Sequence, residues 1–214
     1  MPPASPNLTP LASAPRERAR TARREALLET AEAVFAERGF SGATMAEIAA
    51  RAGYSAGNLY NVFESKEALY QELVTTRGTK LLQEQLAILR QEARYLETLD
   101  RVIDHLLQFC VDHRAFWVLY VRGLTGQEWS GAPFPEETQR LRQELEQESI
   151  QRLARAMEQG ELPREDPIAC VTMILGTLHH HIVHWIEGMG SADELWESAR
   201  RLRRVLHRGL GVAT

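Results

Sequence analysis

Histidines are concentrated in one short segment of the sequence, HHHIVHWIE at residues 179–187. His180, His184 and Glu187 follow the spacing i, i+4, i+7 and therefore share one face of a helix. Two histidines one helical turn apart can hold a metal ion such as zinc, but no HExxH sequence places a general base beside them. Cys170 cannot join them from the same helix, because ten residues rise about 15 Å. We therefore expect no metal site, and a dimer interface or a ligand pocket with some pH sensitivity is the favoured interpretation of the 179–184 cluster.

A second segment with unusual chemistry is AGYSAGNLYNVF, at residues 52–63. Its two glycines and two asparagines are poor helix formers. Its apolar residues nevertheless recur three and four positions apart, as on the buried face of a helix, at Leu59, Val62 and Phe63. A short helix that fills its outer face with small and polar residues suggests that another molecule approaches that face closely.

The outer face of this segment carries groups that suit the edge of a base pair. Ala56 and Gly57 keep the approach unobstructed, and Asn58 and Asn61 can each donate and accept hydrogen bonds. An asparagine amide can bridge N6 and N7 of adenine. Tyr60 adds a hydroxyl group that can reach a phosphate. The residue types therefore indicate contact with the DNA major groove.

The rest of the sequence predicts an all-α protein of about nine helices. Helical periodicity recurs along the chain, whereas alternating β-branched runs are almost absent. A first helix is predicted from about 16 to 38 and ends at Gly39, and a capping box at Thr44 and Glu47 opens a second helix. Ser55 and Ser65 are predicted caps of the next two. Further helices are expected at about 97–112, 113–123, 135–159, 166–188 and 191–208.

Two short helices joined by Gly53-Tyr54-Ser55, behind a longer first helix, form a helix-turn-helix pattern. In such a unit the second helix enters the major groove and its N-terminal residues meet base edges. The spacing alone also allows a small capped helix in an ordinary helical bundle.

The segment TMAEIAARAGYSAGNLYNVFESKEALYQEL, with FAERGF before it, resembles the DNA-binding domain of TetR-type (tetracycline-repressor-like) bacterial regulators. The resemblance covers about residues 20 to 75. Five prolines and no apolar stretch in residues 1–15 predict a flexible tail there. The resemblance implies an all-helical homodimer, with a helix-turn-helix domain at 16–64 and a ligand-binding and dimerisation domain at 65–214. It also implies that the last two helices form the dimer interface. A two-fold dimer places its recognition helices about 34–36 Å apart, or a multiple of that, on a near-palindromic operator.

The resemblance also implies roles for individual residues of the DNA-binding domain. Thr44 matches a residue that touches phosphate, and Lys66 resembles the phosphate-binding lysine at the start of the fourth helix. The positions that match recognition-helix contacts are Ser55, Ala56, Gly57, Asn58, Tyr60 and Asn61. The sequence departs from many members at three positions. Ala56 stands where a basic or long polar residue is common, Val62 where histidine is common and Glu64 where lysine is common.

Charge is distributed unevenly along the chain. The whole sequence carries a net charge of −4, whereas residues 16–24 hold five arginines against one glutamate, and residues 54–66 sum to zero. Because phosphate contacts dominate DNA affinity, we expect an arginine arm that includes Arg20 and Arg24 to supply the missing charge, through the minor groove beside the half-site. A solvated basic helix start is the alternative.

The C-terminal region contains the aromatic and polar residues expected of a small-molecule pocket. By the resemblance, this pocket lies between the middle helices and the first dimer helix. The candidate lining residues are Phe109, His113, Phe116, Trp117, Tyr120, Trp129, Phe134, Met173, Thr177, His181 and Trp185. Ordinary core packing is the alternative for each residue taken singly.

Composition is that of an ordinary globular protein, 44% hydrophobic and 25% charged. No apolar run reaches about 18 residues, and the two cysteines suggest reduced thiols, so a cytoplasmic location is expected. The favoured function is a ligand-responsive transcriptional regulator, most often a repressor in this family, that needs no cofactor and is not an enzyme. The alternatives are a DNA-binding regulator whose C-terminal domain meets another protein and, less favoured, a metal-dependent hydrolase that uses His180 and His184.

Overall fold

The computed structural model describes residues 13–124 and 135–211, and within these ranges the chain forms nine α-helices and no strand. The all-α class predicted from the periodicity is confirmed. The helices are α1 (Ser13–Gly42), α2 (Met45–Arg51), α3 (Ala56–Tyr60), α4 (Lys66–Leu89), α5 (Tyr95–Asp112), α6 (Arg114–Leu124), α7 (Glu136–Glu158), α8 (Pro167–Glu187) and α9 (Ala192–Gly209).

Local sequence features explain where the first helices begin and end. Within α1, Gly39 has φ 70° and ψ 169°, a conformation that glycine adopts without strain, and the helix is interrupted there as predicted. The Thr44 hydroxyl accepts a hydrogen bond from the Glu47 N–H at 3.1 Å, and the Ser55 hydroxyl accepts one from the Asn58 N–H at 3.2 Å. Ser65 caps α4 in the same way through the Ala68 N–H, at 3.0 Å. The helix-turn-helix region therefore follows its predicted caps.

The chain divides into two compact units, residues 1–73 and residues 74–214. Of the first unit, residues 1–12 lie outside the described part, and they make up most of the tail expected at 1–15. The division falls inside α4, nine residues beyond the boundary expected at 64, because Leu69 and Leu73 are fully buried. Tyr70 packs edge-on against Phe35, with ring centroids 5.3 Å apart. The first turns of α4 therefore belong to the core of α1, α2 and α3.

The second unit packs α5 to α9 around one apolar core, to which the C-terminal part of α4 contributes Leu81. Its fully buried residues include Ile103, Leu107, Leu153, Ile182 and Leu195. The described residues leave one side of α8 uncovered: Ile168 is 60% exposed and Leu175 45%. Among the described residues, no helix is both long and apolar enough to cross a membrane.

Candidate nucleic-acid interface and ligand cavity

The turn between α2 and α3 depends on one glycine. Gly53 has φ +75°, in the left-handed region that other residues rarely adopt. The Tyr54 N–H then bonds to the Ala49 carbonyl oxygen at 2.8 Å, which closes the end of α2. Ser55 follows in an extended conformation and caps α3. The glycine therefore sets the angle at which α3 leaves α2.

The outer face of α3 is open, whereas its inner face is anchored. Leu59 is fully buried, and Phe63 just after the helix is nearly so. A Cβ atom added at Gly57 meets nothing within 4 Å. The residues predicted to contact DNA in α3 and beside it are Thr44, Ser55, Ala56, Gly57, Asn58, Tyr60 and Asn61. All of them are exposed except Ala56, which is half-buried. The amides and hydroxyls of this surface are therefore available to a base edge or a phosphate.

Lys66 is half-buried and engaged inside the N-terminal unit. Its ammonium group donates to the carbonyl oxygens of Phe40 at 2.7 Å and Ala43 at 3.0 Å, and it lies 4.4 Å from the centre of the Phe40 ring. These contacts hold the connection between α1 and α2 against the first turn of α4. A phosphate contact by Lys66 stays a prediction, and the geometry gives the residue a positioning role as well.

The two arginines proposed for the arm differ in their surroundings. Arg24 forms an ion pair with Glu72 through two nitrogen–oxygen contacts, and its guanidinium lies 4.6 Å from the centre of the Phe63 ring. The hydrogen bonding of its guanidinium to the Glu72 carboxylate raises the pKa of Arg24. Arg20 is exposed, and its one ion pair within the described part of the chain is a surface pair of 3.6 Å with Glu17. Of these two arginines, Arg20 is therefore the one whose charge is free to meet a phosphate.

A cavity of about 400 Å³ lies in the C-terminal unit among α4, α6 and α7. Three predicted pocket residues, Phe116, Trp117 and Tyr120, form its α6 side. The remaining lining residues were not predicted from the sequence, and they are Gly78, Leu81, Leu82, Thr138, Gln139 and Arg142. The leucines follow the core periodicity of α4, and the α7 residues belong to a helix so polar that a solvated face was the natural interpretation. The cavity is therefore only partly the predicted one.

Two groups on the α6 side give this cavity polar character. The indole N–H of Trp117 is buried and has no hydrogen-bond partner among the described residues. Burial raises the pKa of Tyr120, and the positive charge of Arg142 acts against that shift. Thr138 is 5% exposed, and its hydroxyl lies 3.1 Å from that of Thr79.

The structure does not bring the other predicted pocket residues to this cavity. Phe109 and His113 stack with ring centroids 4.4 Å apart, and Phe109 meets Phe116 edge-on at 6.2 Å. They therefore pack behind the lining. Trp129 and Phe134 lie outside the described residues.

The α8 candidates face elsewhere, because that side of the helix packs toward α9. His181 and Trp185 line a groove of about 550 Å³ between α8 and α9, where the His181 Nε2 atom lies 3.1 Å from the Ser198 hydroxyl. Met173 is 40% exposed, and the half-buried Thr177 donates to its carbonyl oxygen at 2.6 Å.

The histidine cluster is largely at the surface. His179, His180 and His184 are exposed, and His181 is half-buried. Burial lowers the pKa of His181, and the neighbouring His184 and His180 lower it further. In the described part of the chain, no group of three or more His, Cys, Asp or Glu side chains is arranged to hold a metal ion.

Comparisons with known proteins agree with the N-terminal geometry. The sequence profile described as "Bacterial regulatory proteins, tetR family" matches residues 27–73. The chain is 37% identical over 98 residues to the HTH-type transcriptional repressor KstR2 of Mycobacterium tuberculosis, covering 46% of this chain and 49% of KstR2. It is 29% identical over 195 residues to the HTH-type transcriptional repressor BepR of Brucella suis, covering 86% and 90% of the two chains. The match to KstR2 thus spans about half of that relative's length.

Solved structures extend the likeness to both units. The ketosteroid transcriptional regulator KstR2 of Mycobacterium tuberculosis superposes with a TM-score of 0.67 at 28% identity, covering 86% of this chain and 93% of that one. AibR, solved with isovaleryl coenzyme A and operator DNA, superposes with a TM-score of 0.62 at 20% identity, covering 83% and 95%. The second likeness shows the fold alone. The helix-turn-helix geometry, the profile match and these relatives place residues 27–73 in the TetR family of bacterial regulatory proteins.

Proposed function

We propose that this chain is a transcriptional repressor that binds operator DNA as a homodimer and is released by a small apolar or amphipathic molecule. The observation that carries the proposal is the open outer face of α3, where a Cβ atom at Gly57 meets nothing within 4 Å. Beside it, Asn58 and Asn61 are exposed. A helix with an anchored inner face and an unobstructed polar outer face suits insertion into the major groove.

The relatives support both halves of this proposal. KstR2 and BepR are transcriptional repressors, and AibR was solved with a coenzyme A thioester and operator DNA together. We assign DNA binding to residues 16–64, with Arg20 adding charge from α1. We assign ligand binding and dimerisation to the region from 65 onward, where the cavity lies. A cytoplasmic location follows from the proposal, because that is where operator DNA is found.

The dimer is proposed from the uncovered apolar side chains of the last two helices. Ile168, Met173 and Leu175 on α8 and Val205 on α9 are each at least 40% exposed. A symmetric pair of chains buries such a patch against its own copy. Light scattering coupled to gel filtration should give twice the mass of one chain, and Leu175→Glu should shift the population to monomers. A wild-type monomer at micromolar concentration would contradict the dimer.

Release requires that the ligand bind better to a conformation in which the two recognition helices are wrongly spaced. α4 is the element that can carry this change, because one continuous helix runs from Lys66 to the cavity-lining Gly78, Leu81 and Leu82. Gly78 is the position on α4 where the absence of a side chain leaves room for bending.

The proposal is tested by incubating the full chain with fragments of its own genome and sequencing those it retains. The expected result is a short near-palindrome, enriched by the wild type and not by the Asn58→Ala/Asn61→Ala double variant. Equal enrichment by the two proteins, or no enriched site in low salt, would contradict DNA recognition by α3.

A regulator without a small-molecule effector remains the alternative for the C-terminal unit. Mass spectrometry of the purified protein under native conditions separates the two cases. A co-purified organic molecule supports the effector, whereas binding of a second protein that protects the cavity residues from hydrogen exchange supports the alternative.

A further inference from the structure

Among the described residues, the polar groups that line the cavity among α4, α6 and α7 include several hydrogen-bond donors and no carboxylate. The indole of Trp117, the phenol of Tyr120 and the guanidinium of Arg142 all line it. Indole and guanidinium nitrogens only donate hydrogen bonds, and a phenol can donate. Neither Asp nor Glu is among the lining residues. The cavity therefore favours a ligand that brings acceptor oxygens.

The indole N–H of Trp117 is the most demanding of these donors. Trp117 is only 7% exposed, and its nitrogen has no hydrogen-bond partner among the described residues. Buried donors in folded proteins almost always find a partner. A ligand oxygen is a partner of the right chemistry, and it reaches this nitrogen when the indole ring turns toward the cavity, because the atom itself is closed to solvent.

Arg142 also differs from two other arginines on its helix. Arg140 pairs with Glu136 at 3.1 Å and Arg155 with Glu148 at 2.9 Å, each within α7. Arg142 has no such acidic partner among the described residues, and its charge acts on the hydroxyl of the half-buried Tyr120. The positive charge at the cavity is therefore available to an anion.

The remaining lining combines the apolar Leu81, Leu82 and Phe116 with Gly78 and the polar Thr138 and Gln139. Pockets for small molecules are mostly apolar with a few placed polar groups, and they commonly measure about 300–1,000 Å³. At about 400 Å³ this cavity holds a medium-sized molecule or the end of a larger one. The ligand therefore needs a hydrocarbon part as well as an acceptor group.

We infer that the cavity binds an acidic amphipathic molecule that carries an acyl group, with its acyl oxygens accepting hydrogen bonds from Trp117 and Tyr120 and its negative charge facing Arg142. A free carboxylic acid and an acyl thioester on an anionic carrier share this chemistry. The inference rests on the proposed function, because it names the class of the effector.

The experiment measures binding to the full chain by titration calorimetry with four decyl compounds, which are decanoate, decanoyl coenzyme A, decanol and decylamine. We expect decanoate or decanoyl coenzyme A to bind at least about tenfold more tightly than decanol and decylamine, because only the acids meet Arg142. Whichever of the two acids binds more tightly identifies the source of the acyl group. The inference would be overturned if decanol or decylamine bound as tightly as the better of the two acids. It would also be overturned if neither acid bound and no shorter or longer homologue of either acid bound.

Variants locate the binding group. Arg142→Gln should weaken binding of the preferred acid about tenfold and leave that of decanol unchanged, whereas Arg142→Lys should keep most of the affinity. Trp117→Phe retains the ring and removes the N–H, and it should also weaken binding of the acid. Arg140→Gln, on the same helix and outside the cavity, is the matched control and should have no effect. An unchanged affinity in Arg142→Gln, with unfolding like that of the wild type, would overturn the role of the arginine.

Release of operator DNA, followed by fluorescence anisotropy, is measured separately from ligand binding. An acid that binds at Arg142 but leaves the operator complex intact keeps this inference and contradicts the effector role. Release by decanol as readily as by the acids keeps the effector role and contradicts this inference.

Discussion

The ammonium group of Lys66 lies 2.7 Å from the carbonyl oxygen of Phe40, which is 26 residues earlier in the chain. A second bond of 3.0 Å reaches the carbonyl oxygen of Ala43, directly before the cap of α2. One side chain therefore joins the first turn of α4 to the connection that precedes the helix-turn-helix. This lysine helps to position the DNA-binding surface whether or not it also touches phosphate.

Replacement of Lys66 by Met should lower the free energy of unfolding by about 1–3 kcal/mol, because two carbonyl oxygens lose a charged donor. The change is measured by urea denaturation followed by circular dichroism. Lys80→Met, at an exposed position of the same helix, is the control and should stay within about 0.5 kcal/mol of the wild type. If Lys66→Met leaves stability unchanged while the salt slope of operator binding loses about one unit, the lysine is a phosphate contact rather than a positioning residue.

Arg20→Gln should weaken DNA binding without changing stability, whereas Arg24→Gln should lower stability. Loss of exposed Arg20 should reduce the salt slope of operator binding by about 0.9 if the arginine meets one phosphate, with unfolding unchanged. Loss of Arg24 should destabilise the N-terminal unit, because it removes the ion pair with Glu72 and the contact with Phe63. An unchanged salt slope after deletion of residues 1–18 together with Arg20→Gln would contradict the arm.

The two glycines around the turn should respond differently to alanine. Gly53→Ala should destabilise the protein by about 1 kcal/mol, because its φ of +75° is strained for any residue with a Cβ atom. Gly57→Ala should preserve or raise stability by up to about 1 kcal/mol, because the added methyl group meets nothing within 4 Å and alanine favours the helix. Gly57→Leu should fold equally well and bind operator more weakly. Wild-type operator affinity in Gly57→Leu would show that this face does not approach DNA closely.

Stability should fall as the pH drops below about 6.5, the ordinary pKa of histidine, and His181 should account for part of the loss. Burial and the neighbouring His184 and His180 lower the pKa of His181, so the unfolded chain binds this proton more readily than the folded one. Its contribution is complete above the ordinary pKa and is lost as the pH falls toward the lower folded value.

Thermal unfolding between pH 8 and pH 5 tests this sign. His181→Gln should make the melting temperature depend less on pH, and His179→Gln, at an exposed position, should leave that dependence unchanged. An equal slope in His181→Gln and the wild type would contradict the linkage.

Features that depend on local sequence could be predicted in this chain. Gly39 interrupts α1, and Thr44, Ser55 and Ser65 cap helices, because each acts on neighbours within four residues. The ion pair of Arg24 with Glu72 joins residues 48 apart, and no periodicity reports such a pairing. The arginine was therefore assigned to the exposed arm, although it is engaged inside the unit.

The lining of the cavity was only partly predictable for the same reason. Phe116, Trp117 and Tyr120 were found because aromatic residues on one helix are typical of a pocket wall. Arg142 was not predicted to line the pocket, because a charged residue on a polar helix normally faces water. His181 and Trp185 were assigned to the same wall, but whether a side of α8 meets α9 or the cavity depends on packing between helices distant in sequence.

The most direct test of the account compares two affinities at one salt concentration, for the operator recovered from the genome and for unrelated DNA of equal length. Wild-type protein should prefer the operator by about 10³-fold or more. The Asn58→Ala/Asn61→Ala variant should lose about 1–3 kcal/mol of that preference for each base contact removed, with unfolding unchanged. Equal affinity of the wild type for both DNAs would contradict a sequence-specific regulator that reads the major groove with α3.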